Sequence, residues 1–222
     1  MIRHGHTIGT LDQVMYGATD LPLTEDGYKE IQAMAGLGVY PDPAGARLYT
    51  SGMLRTEQTF EAIYGDTEHL VVPDWREINV GKYEMQPFDV IKQDDYGRRW
   101  LSGEIEDPTF EGGDTMSEFG KRVLEGTYKI LADCAEAGYD RIIAVIHGGV
   151  ISFVLHGMFP GAQSNVWNWT PQPGCGYKIT FEDGKPVEAD PFGANIEFYF
   201  SPEDIEKIID APEDSNAMPA DL

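Results

Sequence analysis

The chain has 222 residues, 41% of them hydrophobic and 11% aromatic, and 38 acidic against 16 basic side chains give it a formal charge of −22. That length suits one domain, at about 150 residues each, with an added cap, and the apolar share is too rich for a disordered polymer. A surface this acidic repels phosphate backbones, so no nucleic acid is expected as a partner. No apolar run approaches the roughly 18 residues of a membrane span.

The first residues, Met1-Ile2-Arg3-His4-Gly5-His6, hold no apolar core of a signal peptide. A turn through Pro22 then feeds a helix capped by Thr24 and running to about residue 35. A short strand is expected at 47–50, a helix at 54–64 ended by Gly65, and a strand at 69–72 closed by Pro73. Residues 86–112 are weakly periodic and rich in Asp, Gly, Pro and aromatics. They read as an inserted cap with one short helix near 88–100.

A long amphipathic helix covers 115–137, with Val123, Ile130 and Leu131 on one stripe. The strongest strand is 140–146, whose run of aliphatic residues implies burial on both faces, as in the middle of a parallel sheet. A helix is expected at 150–155. Strands at 177–181 and 187–189 flank an Asp183-Gly184 turn. A last helix, capped by Ser201 with Pro202 at its first position, runs to about 209, and an acidic tail, 211–222, follows. The domain is therefore taken as 1–210. Strand–helix alternation predicts a three-layer α/β/α sandwich with a mostly parallel central sheet. Cys134 and Cys175 are too few for a disulfide framework and read as reduced thiols, which suggests a cytoplasmic protein.

Ligands of open α/β sheets bind beyond the carboxyl ends of the strands. Two such ends carry His-Gly: Arg3-His4-Gly5, and His147-Gly148-Gly149 after the strongest strand. Glycine there admits a ligand to the backbone, and a helix starting after Gly149 points N–H groups at an anion. Arg55, in the first turn after the 47–50 strand, would face the same crevice if that strand lies beside the first one. Its guanidinium suits bidentate phosphate contact. Glu77, just past another strand, is a carboxylate that could serve as general acid, although alone it is one acidic residue among many.

These residues match a family. Arg3-His4-Gly5-His6-Thr7 resembles the Arg-His-Gly-x-Thr signature of the histidine phosphatase superfamily, the phosphoglycerate-mutase-like fold, branch 1. The likeness continues from Gly17 to Gly27, at Thr50-Ser51 to Arg55 with Thr59, at Arg76-Glu77-Ile78 with Gly81 and Glu84, at Gly113-Asp114-Thr115 with Arg122-Val123, and at His147-Gly148-Gly149. It implies that His4 is a nucleophile that becomes phosphorylated. Arg3, Arg55 and His147 would surround the phosphoryl oxygens, with Thr10 and Gly148 adding phosphate contacts. Glu77 would protonate the leaving alcohol and then activate water. The resemblance implies no metal and no cofactor. The branch of acid phosphatases and phytases fits less well, because Thr7 and Gly148 stand where that branch has other residues.

The chain departs from the pattern in several places. Thr10 stands where Asn is frequent, Val14 where an Arg is frequent, and His6 where Glu or Gln is common. Only Met1 and Ile2 precede the signature, too few for a central strand, so the chain is read as truncated at its start. The stretch from Glu77 to the block at Gly113 is short for a cofactor-dependent mutase, which favours a phosphomonoesterase acting on a small organic phosphate. A phosphomutase and a non-catalytic phospholigand sensor are the alternatives. In the cap, Phe88, Tyr96, Trp100 and Phe110 with Lys92, Arg98 and Arg99 would form either an amphipathic rim for the leaving group or ordinary packing. Trp167 and Trp169 pose the same choice. Oligomeric state is not legible.

Overall fold

The computed structural model describes residues 1–193. The expected helix capped by Ser201 and the acidic tail lie outside the described residues.

Six strands form one sheet: β1 (Ile2–Arg3), β3 (Arg47–Thr50), β4 (Leu70–Val71), β6 (Ile142–Ile146), β7 (Gly176–Glu182) and β8 (Lys185–Phe192). Their order is β4-β3-β6-β1-β7-β8. The first four run parallel, and β7 and β8 are antiparallel additions. The chain is thus an α/β sandwich on a mostly parallel sheet, as expected. Alternation along the strands explains the layers. Leu48, Ile143, Val145 and Ile2 pack with Phe60 on one face, while Tyr49, Ala144 and Ile146 pack with Phe119, Val123 and Val150 on the other. The first face carries α3 (Leu54–Tyr64), which packs on α2 (Glu25–Gly36), and the second carries α6 (Met116–Glu136) and α7 (Gly148–Met158). No helix among the described residues is long and apolar enough to cross a membrane.

Helix ends follow their caps. The Thr24 hydroxyl accepts from Gly27 N, and Thr115 forms a capping box with Glu118. Helix α7 is longer than its expected span because Gly148 and Gly149 already belong to its first turn, with His147 as its extended N-cap. It is buried over most of its surface, as its predominantly apolar sequence requires. Both residues of the Asp183-Gly184 turn have positive φ, 48° and 74°, the geometry that a tight hairpin needs.

Three expectations are corrected. A central strand does form from two residues: Ile2 pairs with Val145 and Gly176 on its two sides and is fully buried. Backbone bonds continue that pairing beyond the strand, from Tyr177 N to Met1 O and from His4 N to Ile146 O. The 47–50 strand lies beside β6, not beside β1. Last, the cap contains two helices, α4 (Phe88–Gln93) and α5 (Asp95–Leu101). The break is at Asp94, whose extended backbone ends α4 and whose side chain caps α5 by accepting from Gly97 N.

Two elements carried no sequence signal: the single turn α1 (Ile8–Leu11), and a ribbon of β2 (Val14–Met15) and β5 (Gln86–Pro87) that ties the start of the cap to the chain after α1.

Candidate active site

Register brings the two His-Gly ends together. Arg3 pairs with Ile146, so the next residues, His4 and His147, leave adjacent parallel strands side by side, with ring centroids 5.4 Å apart. Thr50 pairs with Val145 on the other side of β6, which sets Ser51 and then Arg55 against His147. Strand β6 therefore stands between the two halves of the site.

His4 is buried, and its Nδ1 lies 2.8 Å from Gly5 O. A carbonyl only accepts, so Nδ1 carries the proton and the neutral ring keeps its lone pair on Nε2. Burial, then Arg55 and Arg3, push the His4 pKa well below the usual imidazole value. The ring is thus a neutral imidazole in an otherwise cationic corner.

Arg55 is fully buried. Nε donates to His147 Nδ1 at 3.2 Å, Nη1 to Thr19 O at 3.0 Å and Nη2 to Gly17 O at 2.8 Å. These bonds engage three of about five guanidinium N–H groups, and Nη1 also lies 3.9 Å from Asp20 Oδ1. The loop holding those carbonyls is itself anchored by Glu84. Its carboxylate accepts from the backbone N–H groups of Gly17, Ala18, Thr19 and Val80 and from the Thr19 hydroxyl. These bonds outweigh its burial and lower its pKa. Only glycine fits at Gly17, where a Cβ would lie 1.7 Å from Ile78 O.

His147 accepts from Arg55 at Nδ1, so its proton is on Nε2, which donates to Ser51 Oγ at 2.8 Å. The Thr56 hydroxyl donates to Met53 O, so the Ser51 hydroxyl donates to Thr56 Oγ1. Both nitrogens of His147 are engaged in this arrangement, and contact with phosphate requires the ring to exchange one partner. Burial, Arg55 and His4 push its pKa well below the ordinary value.

Arg3 donates from Nη1 to Pro171 O at 2.7 Å, while its buried Nε has no partner among the described residues. A buried N–H without a partner is uncommon in folded proteins and calls for an explanation. Gly148 opens α7, so its N–H has no partner within the helix, and it abuts Arg3, whose Nε would be 3.1 Å from a Cβ there.

Glu77 reaches the same helix terminus. Oε2 accepts from Gly149 N at 3.0 Å and Oε1 from Ile78 N at 2.9 Å. The segment bearing it is clamped from α6: Arg122 donates to Asp74 O and Arg76 O and pairs with Asp114, whose carboxylate accepts from Asn79 N.

Thr10 has a different task from the one expected. Its hydroxyl donates to Thr7 O and accepts from Thr7 N, and His6 Nδ1 adds a contact at 3.2 Å, so it completes the capping box that starts α1 and its one proton is engaged there. The cap is packing except at Phe88. Tyr83 stacks on Trp100 and Phe110 meets both rings edge to face, Tyr96 Oη accepts from Thr109 N, and Lys92, Arg98 and Arg99 pair with carboxylates of the cap. Trp169 packs on Phe159 and Tyr177, and Trp167 packs on Phe153.

Tyr16 was not singled out by sequence. Its ring lies 6.4 Å from His4 and 5.2 Å from the Arg55 guanidinium, and its hydroxyl accepts from Thr7.

A family model described as the histidine phosphatase superfamily (branch 1) matches residues 1–190. A curated relative, "Probable phosphoglycerate mutase GpmB" of Yersinia pestis, is 27% identical over 160 residues, 70% of this chain and 71% of that protein. Among solved structures, the alpha-ribazole phosphatase of Shigella flexneri superposes with a TM-score of 0.71 at 21% identity, over 86% of this chain and 93% of that one. A phosphoserine phosphatase of Entamoeba histolytica in complex with phosphoserine does so with a TM-score of 0.70 at 24% identity, over the same shares.

Proposed function

Given that the chain belongs to the histidine phosphatase superfamily, branch 1, we propose that it is a phosphomonoesterase that hydrolyses a small organic phosphate through a phosphohistidine at His4. The observation that carries this reading is the His4 tautomer. Gly5 O holds the proton on Nδ1, and Nε2 faces a corner lined by Arg3 and Arg55 with its lone pair free.

In the first step Nε2 attacks phosphorus and the ester P–O bond breaks. The departing oxygen takes the proton of the Glu77 carboxylic acid. Charge gathering on the phosphoryl oxygens is met by the orphaned Arg3 Nε and the remaining Arg55 donors. In the second step the Glu77 carboxylate takes a proton from water, the water oxygen attacks phosphorus, and the P–N bond breaks. Phosphate leaves, and Glu77 again holds its proton. Gly149 N and Ile78 N fix both carboxylate oxygens, so the same group can act on the leaving and the entering oxygen.

The cationic side chains supply the electrostatics in this scheme, so turnover of an aryl phosphate should persist in chelator and vanish in His4→Ala. Survival of turnover in that variant would overturn the reading. The curated relative keeps a second reading open, a phosphomutase. It requires dependence on a bisphosphate primer and positional transfer of phosphate, which a mutase assay on phosphoglycerate reads directly. The two cysteines, both buried and unpaired, support a reducing, cytoplasmic setting.

A further inference from the structure

A cavity of about 320 Å³ opens beside the nucleophile, within the roughly 300–1,000 Å³ common for small-molecule sites. Arg3 and Tyr16 are shared between its wall and the surroundings of His4. With Arg3 holding the phosphoryl group, the rest of this space receives the alcohol portion of the ester.

The wall offers that alcohol no second fixed cation. Among its described residues Arg3 is the one Arg or Lys. His6, also in the wall, is pushed towards its neutral form by burial and by Arg3, and its Nε2 faces the Glu30 carboxylate at 3.7 Å. A carboxylate or second phosphate on the alcohol would lose water there without gaining a partner charge, and would do so in a chain of net charge −22.

What the wall does offer is neutral polarity. The side-chain amides of Gln13 and Gln172 have no hydrogen-bond partner among the described residues, and each presents donors and an acceptor. The Tyr16 hydroxyl accepts from Thr7 and keeps its own proton to donate. Hydroxyl groups both donate and accept, so they match this set. Gln13 is held in the left-handed region, φ 52°, between α1 and β2, an uncommon place for a residue other than glycine. Val14, Phe88 and Pro173 add carbon surface, which suits the C–H face of a polyol or sugar ring.

We propose that the site takes the phosphate ester of an uncharged, hydroxyl-rich alcohol and discriminates against esters whose alcohol bears a further anionic group. This deepens the phosphomonoesterase reading and rests on it.

The test uses pairs that differ only in CH₂OH against carboxylate: glycerol phosphate against phosphoglycerate, and sorbitol phosphate against phosphogluconate, each on a terminal hydroxyl and at one ionic strength. The expected result is a kcat/KM about tenfold or more in favour of the polyol ester in both pairs. Parity or the reverse overturns the proposal. Gln13→Ala and Gln172→Ala should narrow the ratio by raising KM for the polyol esters more than for nitrophenyl phosphate. Val14→Arg should narrow it by favouring the carboxylate esters. A ratio unmoved by all three also overturns it. Nitrophenyl phosphate, with His4→Ala as control, reports on the phosphomonoesterase reading separately. If no ester turns over, that reading fails, and calorimetric binding of the same pairs decides the pocket claim by the same tenfold criterion.

Discussion

Replacing Gly149 by Ala should separate the chemistry of Glu77 from its structural role. Gly149 is the second residue of α7, and a Cβ there would lie 2.5 Å from Glu77 Oε1 and 3.0 Å from Oε2. The obstructed atoms are the end of a flexible side chain, so the carboxylate gives way and the helix stays. Losing its bond from Gly149 N costs about 1.5–3 kcal/mol. Removing a glycine from a helix returns about 0.5–1 kcal/mol. The net is about 0.5–2.5 kcal/mol, small enough that the protein folds. General acid catalysis contributes about 10²–10⁴, and it is needed most where the leaving oxygen is a strong base. Phosphoryl transfer to His4, followed by rapid quench in single turnover, should therefore slow by about 10² with an alkyl phosphate. With nitrophenyl phosphate, whose phenolate departs unaided, it should slow only a few-fold. Equal losses on both substrates would refute the assignment of Glu77 as the acid.

Other outcomes follow from the same geometry. His4 and His147 are both held well below the ordinary imidazole pKa of about 6.5, so the acid limb of kcat/KM should fall below that pH, and a limb at or above it would contradict the His4 assignment. The linked stability has a definite sign. Below about pH 6.5 the unfolded chain binds protons that the folded one refuses, so the urea midpoint should drop as pH falls from there towards the folded-state values. A midpoint that held or rose over that window would be inconsistent with neutral buried histidines. Arg122→Ala should release the segment from Asp74 to Asn79 and cut kcat on alkyl phosphates by about tenfold with little change in KM, whereas an unchanged kcat would show that the clamp does not position Glu77. Glu84→Ala should cost about 2–3 kcal/mol in chemical denaturation, because it strands the N–H groups of Gly17, Ala18 and Thr19. Glu84→Gln should retain part of that, and equal stability for wild type and both variants would refute the anchoring role.

The parts that sequence revealed are those with a local signal. The aliphatic run of β6, the capped helices α2, α3 and α6, and the Asp183-Gly184 hairpin each announce themselves within a few residues. So do His4, Arg55 and His147, because each follows the end of a strand, and the sheet order then brings them together. What stayed hidden depends on partners far along the chain. The pairing of β2 with β5 involves two residues on each side and cannot be seen as periodicity. Tyr16 is placed by Thr7 and Arg55, and Ser51 gains its meaning only from His147, 96 positions later. The cap aromatics left two readings open. Exposed and packed rings look alike in sequence, and here Trp100 and Phe110 complete the core beside Tyr83. Strand β1 looked too short to exist. It stands because its two neighbours supply the pairing that its own length does not.

The most direct test of the account is the chemical identity of the phosphoenzyme. Rapid quench of the protein with a labelled aryl phosphate, in chelator, followed by peptide mapping and phosphorus NMR, should show acid-labile phosphate on His4 bonded to Nε2, since Gly5 O occupies Nδ1. Phosphate on Nδ1, phosphate on another residue, or turnover with no acid-labile intermediate would contradict it.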